Sequence, residues 1–329
     1  MQKTELTVNI GTLCDGTGVS HDIKRLPHLL IAGGGNDEAR AFLTRMLLDA
    51  ARNVSPNTLR VLAIGLGSEI NSLPHLLTPV IEEEKEAERA LLWLTGEVDR
   101  RYGLFEAAGV RSIDAYNEKA DGLFVIIAAI GDARALTKKA RGCVASLAAK
   151  ARAAGIYVLL SSDKADTRSI DAIIRVNVPS RIALKTETSA QSRAILDTAG
   201  AEGLEAGEIL FRPVGTTVPQ VLNYQAPTDD ASKSLVNEIA SRYPRAEYVA
   251  ISSAKEEAPD LLKGALEAAL EYGGISTALL QRTLHIGYKK ASALVEKMEN
   301  AGYIGEYRGS APRKVLLTAE ELEGLIKER

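Results

Sequence analysis

Residues 26–53, LPHLLIAGGGNDEARAFLTRMLLDAARN, decide the architecture. Positions 27–33 read as a short apolar strand running into Gly33-Gly34-Gly35, and from Asp37 to Asn53 the residues Leu43, Met46 and Leu47 recur at helical spacing. The order is strand, Gly-rich loop, helix. Outward from this junction the alternation continues: a strand over Leu59–Gly65, a helix over Glu82–Glu106, a strand over Leu123–Ile130, a helix over Leu136–Ala153 and a strand over Ile156–Ser161. Short, continuous apolar runs between helices have no polar face, so these strands belong to a mainly parallel sheet buried on both sides. Further strands are expected at Ser180–Lys185 and Glu208–Arg212, the second followed by a Pro- and Gly-bearing turn. The fold class is α/β.

The 329 residues carry 40 Lys and Arg against 43 Asp and Glu, a formal charge of -3. A chain-wide polycation is excluded, so any nucleic-acid surface has to be local. Cys14 and Cys143 stand alone, and with only four histidines the sequence predicts neither a zinc site nor a disulfide framework. The start, MQKTELTVNI, has no apolar signal core, and the run Leu123–Ile130 is far short of the ~20 residues of a membrane helix. A cytoplasmic protein without a membrane segment is expected.

Near residue 250 the composition shifts, and the polar stretch ISSAKEEAPD reads as a linker. A helix over 260–272, a short helix over Ser276–Thr283, a turn at His285–Gly287 and a helix over Tyr288–Asn300 follow. Two strand candidates, Tyr303–Tyr307 and Lys314–Leu317, flank RGSAPR. Three helices and a two-stranded hairpin make the winged variant of the helix-turn-helix. The division is a core over 1–248, a linker over 249–258 and a winged helix over 259–329. The last segment holds ten basic and ten acidic residues, but segregated: Tyr272 to Val295 contains no acid, while the acids gather at 320–328.

The stretches LPHLLIAG, SLPHLLTPV, EVDRRYGLFEAAGVRSIDAYNEK, LAAKARAAGIYVLL, VPSRIAL, SAQSRAILDTAGAEGL and HIGYKKASALVEKMENAGYIGEYRGSAPRKVLL closely resemble the motor and C-terminal γ modules of FtsK/SpoIIIE DNA translocases. The likeness runs over almost the whole chain. It implies a RecA-like ATPase core using ATP and magnesium, a hexameric ring around duplex DNA, a role in chromosome segregation, and a winged helix that reads an orienting sequence. The membrane segment and the domain that precede the motor in full-length members are expected to be missing.

The family's chemical residues do not carry over. A phosphate loop needs G-x-x-x-x-G-K-[ST], because its N–H groups cradle phosphates, its Lys neutralises them and its hydroxyl ligates magnesium. Here the junction reads Gly33-Gly34-Gly35-Asn36-Asp37-Glu38-Ala39-Arg40, with Glu38 for the second Gly, Ala39 for the Lys and Arg40 for the hydroxyl. Asp37 and Glu38 either repel phosphate or simply cap the helix, whose start favours acids. The Asp-Glu pair of the next strand is Ala128-Ala129, so the groups that position metal and water are absent. Asp132 reads as a helix cap. D-P-K becomes Gly65-Leu66-Gly67, and T-Q-R-P becomes Ser162-Asp163-Lys164-Ala165. These are vestigial sites, and no cofactor is expected.

One family group survives: Arg193 occupies a position that resembles an arginine finger serving a neighbour's nucleotide. It reads either as that or as one half of an ion pair with Asp197. In the winged helix the resemblance puts Tyr288, Lys289 and Lys290 at the start of the recognition helix, with His285 just before it. Arg282 and the basic wing residues Arg308, Arg313 and Lys314 complete the candidate DNA contacts. The family's Y-N-R-A-A-R is Y-K-K-A-S-A here, and Lys is a point charge suited to phosphate where Asn and Arg read base edges. The leading reading is an ATPase-inactive relative of a DNA translocase that binds double-stranded DNA, its core an assembly surface for a homo-oligomer or a ring with an active relative. The alternatives are a translocase subunit active in a mixed or unorthodox ring, and an assembly protein that binds no DNA.

Overall fold

The computed structural model describes residues 5–120, 122–164, 172–225, 228–251, 261–284, 286–305, 312–318 and 321. The chain forms two compact units, Met1–Ser253 and Ala254–Arg329. In chain order the first contains β1 (Thr7–Thr12), β2 (Gly18–Asp22), β3 (Leu29–Ala32), α1 (Glu38–Arg52), β4 (Leu59–Ile64), α2 (Glu84–Ala107), α3 (Ile113–Asn117) and β5 (Val125–Ile130). Then come α4 (Lys138–Lys150), β6 (Ile156–Ser162), α5 (Ala172–Asn177), β7 (Ser180–Ala183), α6 (Ser189–Leu196), β8 (Glu208–Arg212), β9 (Gln220–Asn223) and α7 (Asp229–Arg242).

The strands form one sheet in the order β2-β1-β9-β8-β7-β3-β6-β5-β4. From β7 to β4 every pairing is parallel, and every residue of β3, β4, β5, β6 and β7 is buried. Such strands need helices over both faces: α1 packs on β3, β6 and α7, while α2 packs on α4. The remaining strands pair antiparallel, which the sequence did not announce. TVNIGT and GVSHD alternate or lack apolar residues, and in β9 only Leu222 is buried, so none of them stands out as a run.

The second unit contains α8 (Leu261–Tyr272), β10 (Gly274–Ile275), α9 (Thr277–Thr283), α10 (Tyr288–Asn300) and β11 (Arg313–Lys314) around its own core of Leu262, Leu266, Leu280, Leu294, Met298 and Ile304. The Ser276 hydroxyl accepts the Leu279 N–H and starts α9. The wing has a third strand besides the expected two: β10 pairs antiparallel with β11, and Ile304 bridges Val315. Two residues of β10 are too few to show a period. The expected positions His285 and Arg308 lie outside the described residues. So does the expected linker from residue 252 onward; its first residues, Val249 and Ile251, pack against the first unit, with the Val249 N–H on the Leu77 carbonyl.

Two buried polar groups tie the first unit together. His28 is 2 % exposed, and its Nδ1 accepts the Val158 N–H at 3.1 Å, joining the entry of β3 to β6. Burial, helped by the charge of Arg152, pushes its imidazole down to about 4, so the ring stays neutral and Nδ1 stays an acceptor. Arg101 of α2 is fully buried: Nε donates to Glu97 Oε1 at 2.7 Å, and Nη1 donates to the carbonyls of Phe124 (3.0 Å) and Ala154 (2.8 Å). Its guanidinium also lies 5.5 Å from the Phe124 ring centre. Burial pushes the Glu97 carboxyl up, but hydrogen bonds from Arg100 and Arg101 outweigh it and hold the group below its ordinary value. This links α2 to the segment entering β5 and to the segment entering β6. Removing Glu97 leaves the buried Arg101 charge without its carboxylate, so Glu97→Ala is expected to lose about 3–5 kcal/mol in urea denaturation; Arg101→Ala is expected to lose less, because Arg100 still holds Glu97. The double variant Glu97→Leu/Arg101→Met is expected to lose less than the sum of the two.

Candidate functional site

The loop after β3 lies at the carboxyl ends of the parallel strands, where open α/β sheets place their ligands. Five successive residues there have positive φ: Gly33 (96°), Gly34 (82°), Gly35 (71°), Asn36 (48°) and Asp37 (62°). Glycine is required at the first two for a second reason. A Cβ on Gly33 would stand 2.8 Å from the Leu184 carbonyl oxygen, and one on Gly34 would collide with the Glu38 carboxylate. Four of the loop's N–H groups are already taken by protein acceptors. Gly33 donates to Ser162 O (3.1 Å), Gly34 to Lys185 O (2.9 Å), Glu38 to Gly35 O (3.0 Å) and Asp37 to Asp163 Oδ2 (3.1 Å).

A cleft of about 440 Å3 opens over this loop, lined by Gly34 to Glu38, Arg40, Thr44, Glu69, Asp229 and Ser232. Four of these are carboxylates, Asp37, Glu38, Glu69 and Asp229, against one cation. That cation, Arg40, donates from Nη2 to Asp37 Oδ2 at 2.8 Å. Asp37 occupies the N-cap position of α1 without making a side-chain capping bond, so its carboxylate serves Arg40 and does not cap the helix. Burial, and then the negative charge of Asp163, push the Glu38 carboxyl up. Asp163 is itself pushed up by burial and by Asp37 and Asp132, against the lowering bond from the Asp37 N–H. The field of the cleft is acidic. Ala39, Ala128 and Ala129 are fully buried and present no polar atom to it.

Around the cleft, Asp132 Oδ1 accepts the Arg134 N–H and caps a single turn at Ala133–Ala135. Leu66 is buried, and the Gly67 N–H is held by Glu82. Among the described residues, no group of three or more His, Cys, Asp or Glu side chains is arranged to hold a metal ion. Asp163, Glu69 and Asp229 join the site from distant segments. No spacing in the sequence marks Glu69 or Asp229, since only the packing of α7 beside α1 brings Asp229 to the loop.

The ion pair between Arg193 and Asp197 does not form. Asp197 instead receives Arg175, Arg181 and Arg212, from α5, β7 and β8. Arg193 is instead exposed on α6, with Nη1 on the Ser189 hydroxyl at 3.0 Å.

In the second unit, Tyr288, Lys289 and Lys290 form the first turn of α10, which holds no acid and whose N-cap, Gly287, supplies no side-chain bond. Tyr288 is 66 % exposed, and Arg282 is exposed at the end of α9. Lys314 is exposed on the wing. Arg313 differs from the expectation of a free basic contact: its side chain is only 15 % exposed and pairs with Glu299 of α10 at 3.4 Å, tying wing to helix. Tyr272, 56 % exposed at the end of α8, was not marked by the charge pattern because it carries none.

A mixed sheet with a strand, glycine loop and helix at the ends of its parallel strands, joined to a winged helix, is the P-loop NTPase motor fold with an appended winged module. The profile of the FtsK/SpoIIIE family matches residues 1–203, and that of the FtsK gamma domain matches residues 256–318. The chain belongs to the FtsK/SpoIIIE family. It is 35% identical over 341 residues to the DNA translocase SftA of Bacillus subtilis (strain 168), covering 97% of this chain and 36% of that protein. It is 32% identical over 345 residues to a DNA translocase FtsK of Caldanaerobacter subterraneus subsp. tengcongensis, covering 99% and 49%. The chain thus spans between a third and a half of these curated relatives. Among solved structures, the pCW3 conjugation coupling protein TcpA, determined with ATPγS, matches with a TM-score of 0.62 at 23% identity, over 73% of this chain and 71% of that one. The cytoplasmic domain of the Type VII secretion ATPase EccC of Thermomonospora curvata matches at 0.64 and 20%, over 75% and 32%. These two likenesses concern the fold. No helix among the described residues is long and apolar enough to cross a membrane.

Proposed function

We propose that this chain is a DNA-binding member of the family whose core, residues 1–248, does not hydrolyse ATP. Its winged helix, 259–329, holds duplex DNA beyond a joining segment at 249–258. The observation that carries the first half is the glycine loop: carboxylates occupy its mouth, and four of its N–H groups have protein acceptors. A magnesium nucleotide does not fit this donor set. Its phosphates would meet Asp37 and Glu38 without a Lys, and its metal would find Ala128 and Ala129 where carboxylates are needed. Titration of the full chain with a magnesium complex of a non-hydrolysable ATP analogue is expected to give no saturable heat up to millimolar concentration, and micromolar binding would overturn the assignment.

The second half rests on the acid-free first turn of α10 beside exposed Arg282, Tyr288 and Lys314, together with the names of the relatives. Lysines at a helix start suit phosphate contact, so binding should be weakly sequence-selective and strongly salt-dependent. In mobility-shift titrations with duplex DNA, Lys289→Ala/Lys290→Ala is expected to reduce the slope of log affinity against log salt by about two. If the unaltered chain gives no salt-sensitive shift, the assembly reading replaces this one.

A specific observation favours a second role for the core. Arg193 is exposed and without a carboxylate partner at salt-bridge distance among the described residues, which suits a group acting on a neighbouring subunit, in a ring of like copies or with an active relative. Arg193→Ala is expected to abolish any stimulation this chain gives to the hydrolysis rate of a co-purifying active relative. An unchanged rate removes the role.

A further inference from the structure

β4 is the last strand of the sheet, and its outer edge is covered in two layers. Residues 75–77 lie against it first, with the Val61 N–H on the His75 carbonyl (2.8 Å) and the Leu77 N–H on the Val61 carbonyl (2.6 Å). Residues 243–251, which lead from α7 towards the second unit, lie against that layer. The Ala246 N–H reaches the Pro74 carbonyl (3.2 Å), the Val249 N–H the Leu77 carbonyl (2.8 Å) and Arg245 Nη2 the Asn71 carbonyl (2.6 Å). This outer segment is neither helix nor strand, and only Tyr243, Ala246, Val249 and Ile251 of it are partly covered. A segment with so few backbone bonds and so little burial opens locally at low cost.

Two buried polar side chains lie where the layers meet. Arg60 of β4 is 6 % exposed and joins them, donating from Nη2 to the Leu76 carbonyl (2.9 Å) and to the Glu247 carbonyl (2.7 Å). No carboxylate among the described residues pairs with it, and its Nε is buried without a partner. His75 is fully buried, and the Tyr243 ring meets it edge-on with centroids 5.7 Å apart. Its Nε2 lies 2.8 Å from the Val54 carbonyl, which can only accept, so the neutral ring carries its proton there. Nδ1 is then a bare nitrogen, buried with no partner. A proton on Nδ1 would create a buried N–H without an acceptor, carrying a charge close to an Arg60 that has no counter-ion. Burial pushes the imidazole down, the Val54 carbonyl partly offsets this, and the charge of Arg60 adds to the lowering.

We propose that residues 243–251 are a strap, seated on residues 71–77 while His75 is neutral and released when His75 takes up a proton, so that its length is added to the tether of the second unit. Released, the segment contributes up to about 30 Å of extended chain. With Tyr243 withdrawn and water admitted, the imidazole returns towards its ordinary value of about 6.5. Release therefore takes up a proton and is favoured as pH falls below that value, by up to about tenfold per pH unit. Hydrogen exchange of the full chain between about pH 7.5 and about 5.5, corrected for the intrinsic pH dependence of exchange, tests this. Protection over 243–251 is expected to fall about tenfold while β5 keeps its protection. His75→Phe keeps a ring against Tyr243 and cannot take the proton, so its protection over 243–251 is expected not to change with pH. If its thermal midpoint shows that it does not fold, His75→Gln, which keeps a donor for the Val54 carbonyl, is held to the same result. Arg60→Met removes the link between the layers and is expected to lose protection over 243–251 at every pH. Protection over 243–251 that does not respond to pH in the unaltered chain, an equal loss in β5, a pH response that survives in the folded His75 variant, or full protection in Arg60→Met each overturns the proposal.

Discussion

The turn from β3 into α1 is the constraint on which the working end of the first unit depends. Five consecutive positive-φ residues reverse the chain between a fully buried strand and a helix, with the Gly33 and Gly34 N–H groups pinned to β6 and to the segment after β7. Left-handed backbone costs an ordinary residue about 1–2 kcal/mol, so three glycines followed by Asn and Asp are the composition that makes the turn least costly. The turn is closed on both sides, onto β6 and onto the segment after β7. Glu38 folds back over Gly34, where a side chain on that residue would have excluded it.

This separates the scaffold from its chemistry. Stability comes from β3 to β7 being buried on both faces, and from Arg101 and His28 bridging segments far apart in sequence. None of these requires a lysine in the loop or carboxylates on β5. Ala128 and Ala129 suit a strand buried on both sides better than charged residues would, since a carboxylate there would have to be paired or solvated. Function lives in sites placed on folds, and this fold stands with buried alanines at 39, 128 and 129.

The hydrophobic patterning made the central strands and their helices legible, because five runs with no polar face admit few arrangements other than a parallel sheet covered on both sides. The hairpin of β1 and β2, the strand β9 and the two-residue β10 were not legible: they are short, half-exposed and rich in polar residues, so local pattern carries little of their stability. At the site, the residues Glu38, Ala39, Arg40, Ala128 and Ala129 were readable one by one. The acidic character of the whole cleft was not, since Glu69 enters it from the segment after β4 and Asp229 from the start of α7.

The sequence by itself determined the alternation of strand and helix, the left-handed loop, the winged module and the family, because each is written in neighbouring residues whose spacing sets local backbone geometry. Only the tertiary structure decided who pairs with whom. Asp197 takes three arginines, from α5, β7 and β8, and Arg193 lies outside; Arg313 goes to Glu299. Ion pairs and hydrogen bonds are limited by a few ångströms of distance and by the number of oxygens available, and those are properties of packing, to which sequence separation gives no guide.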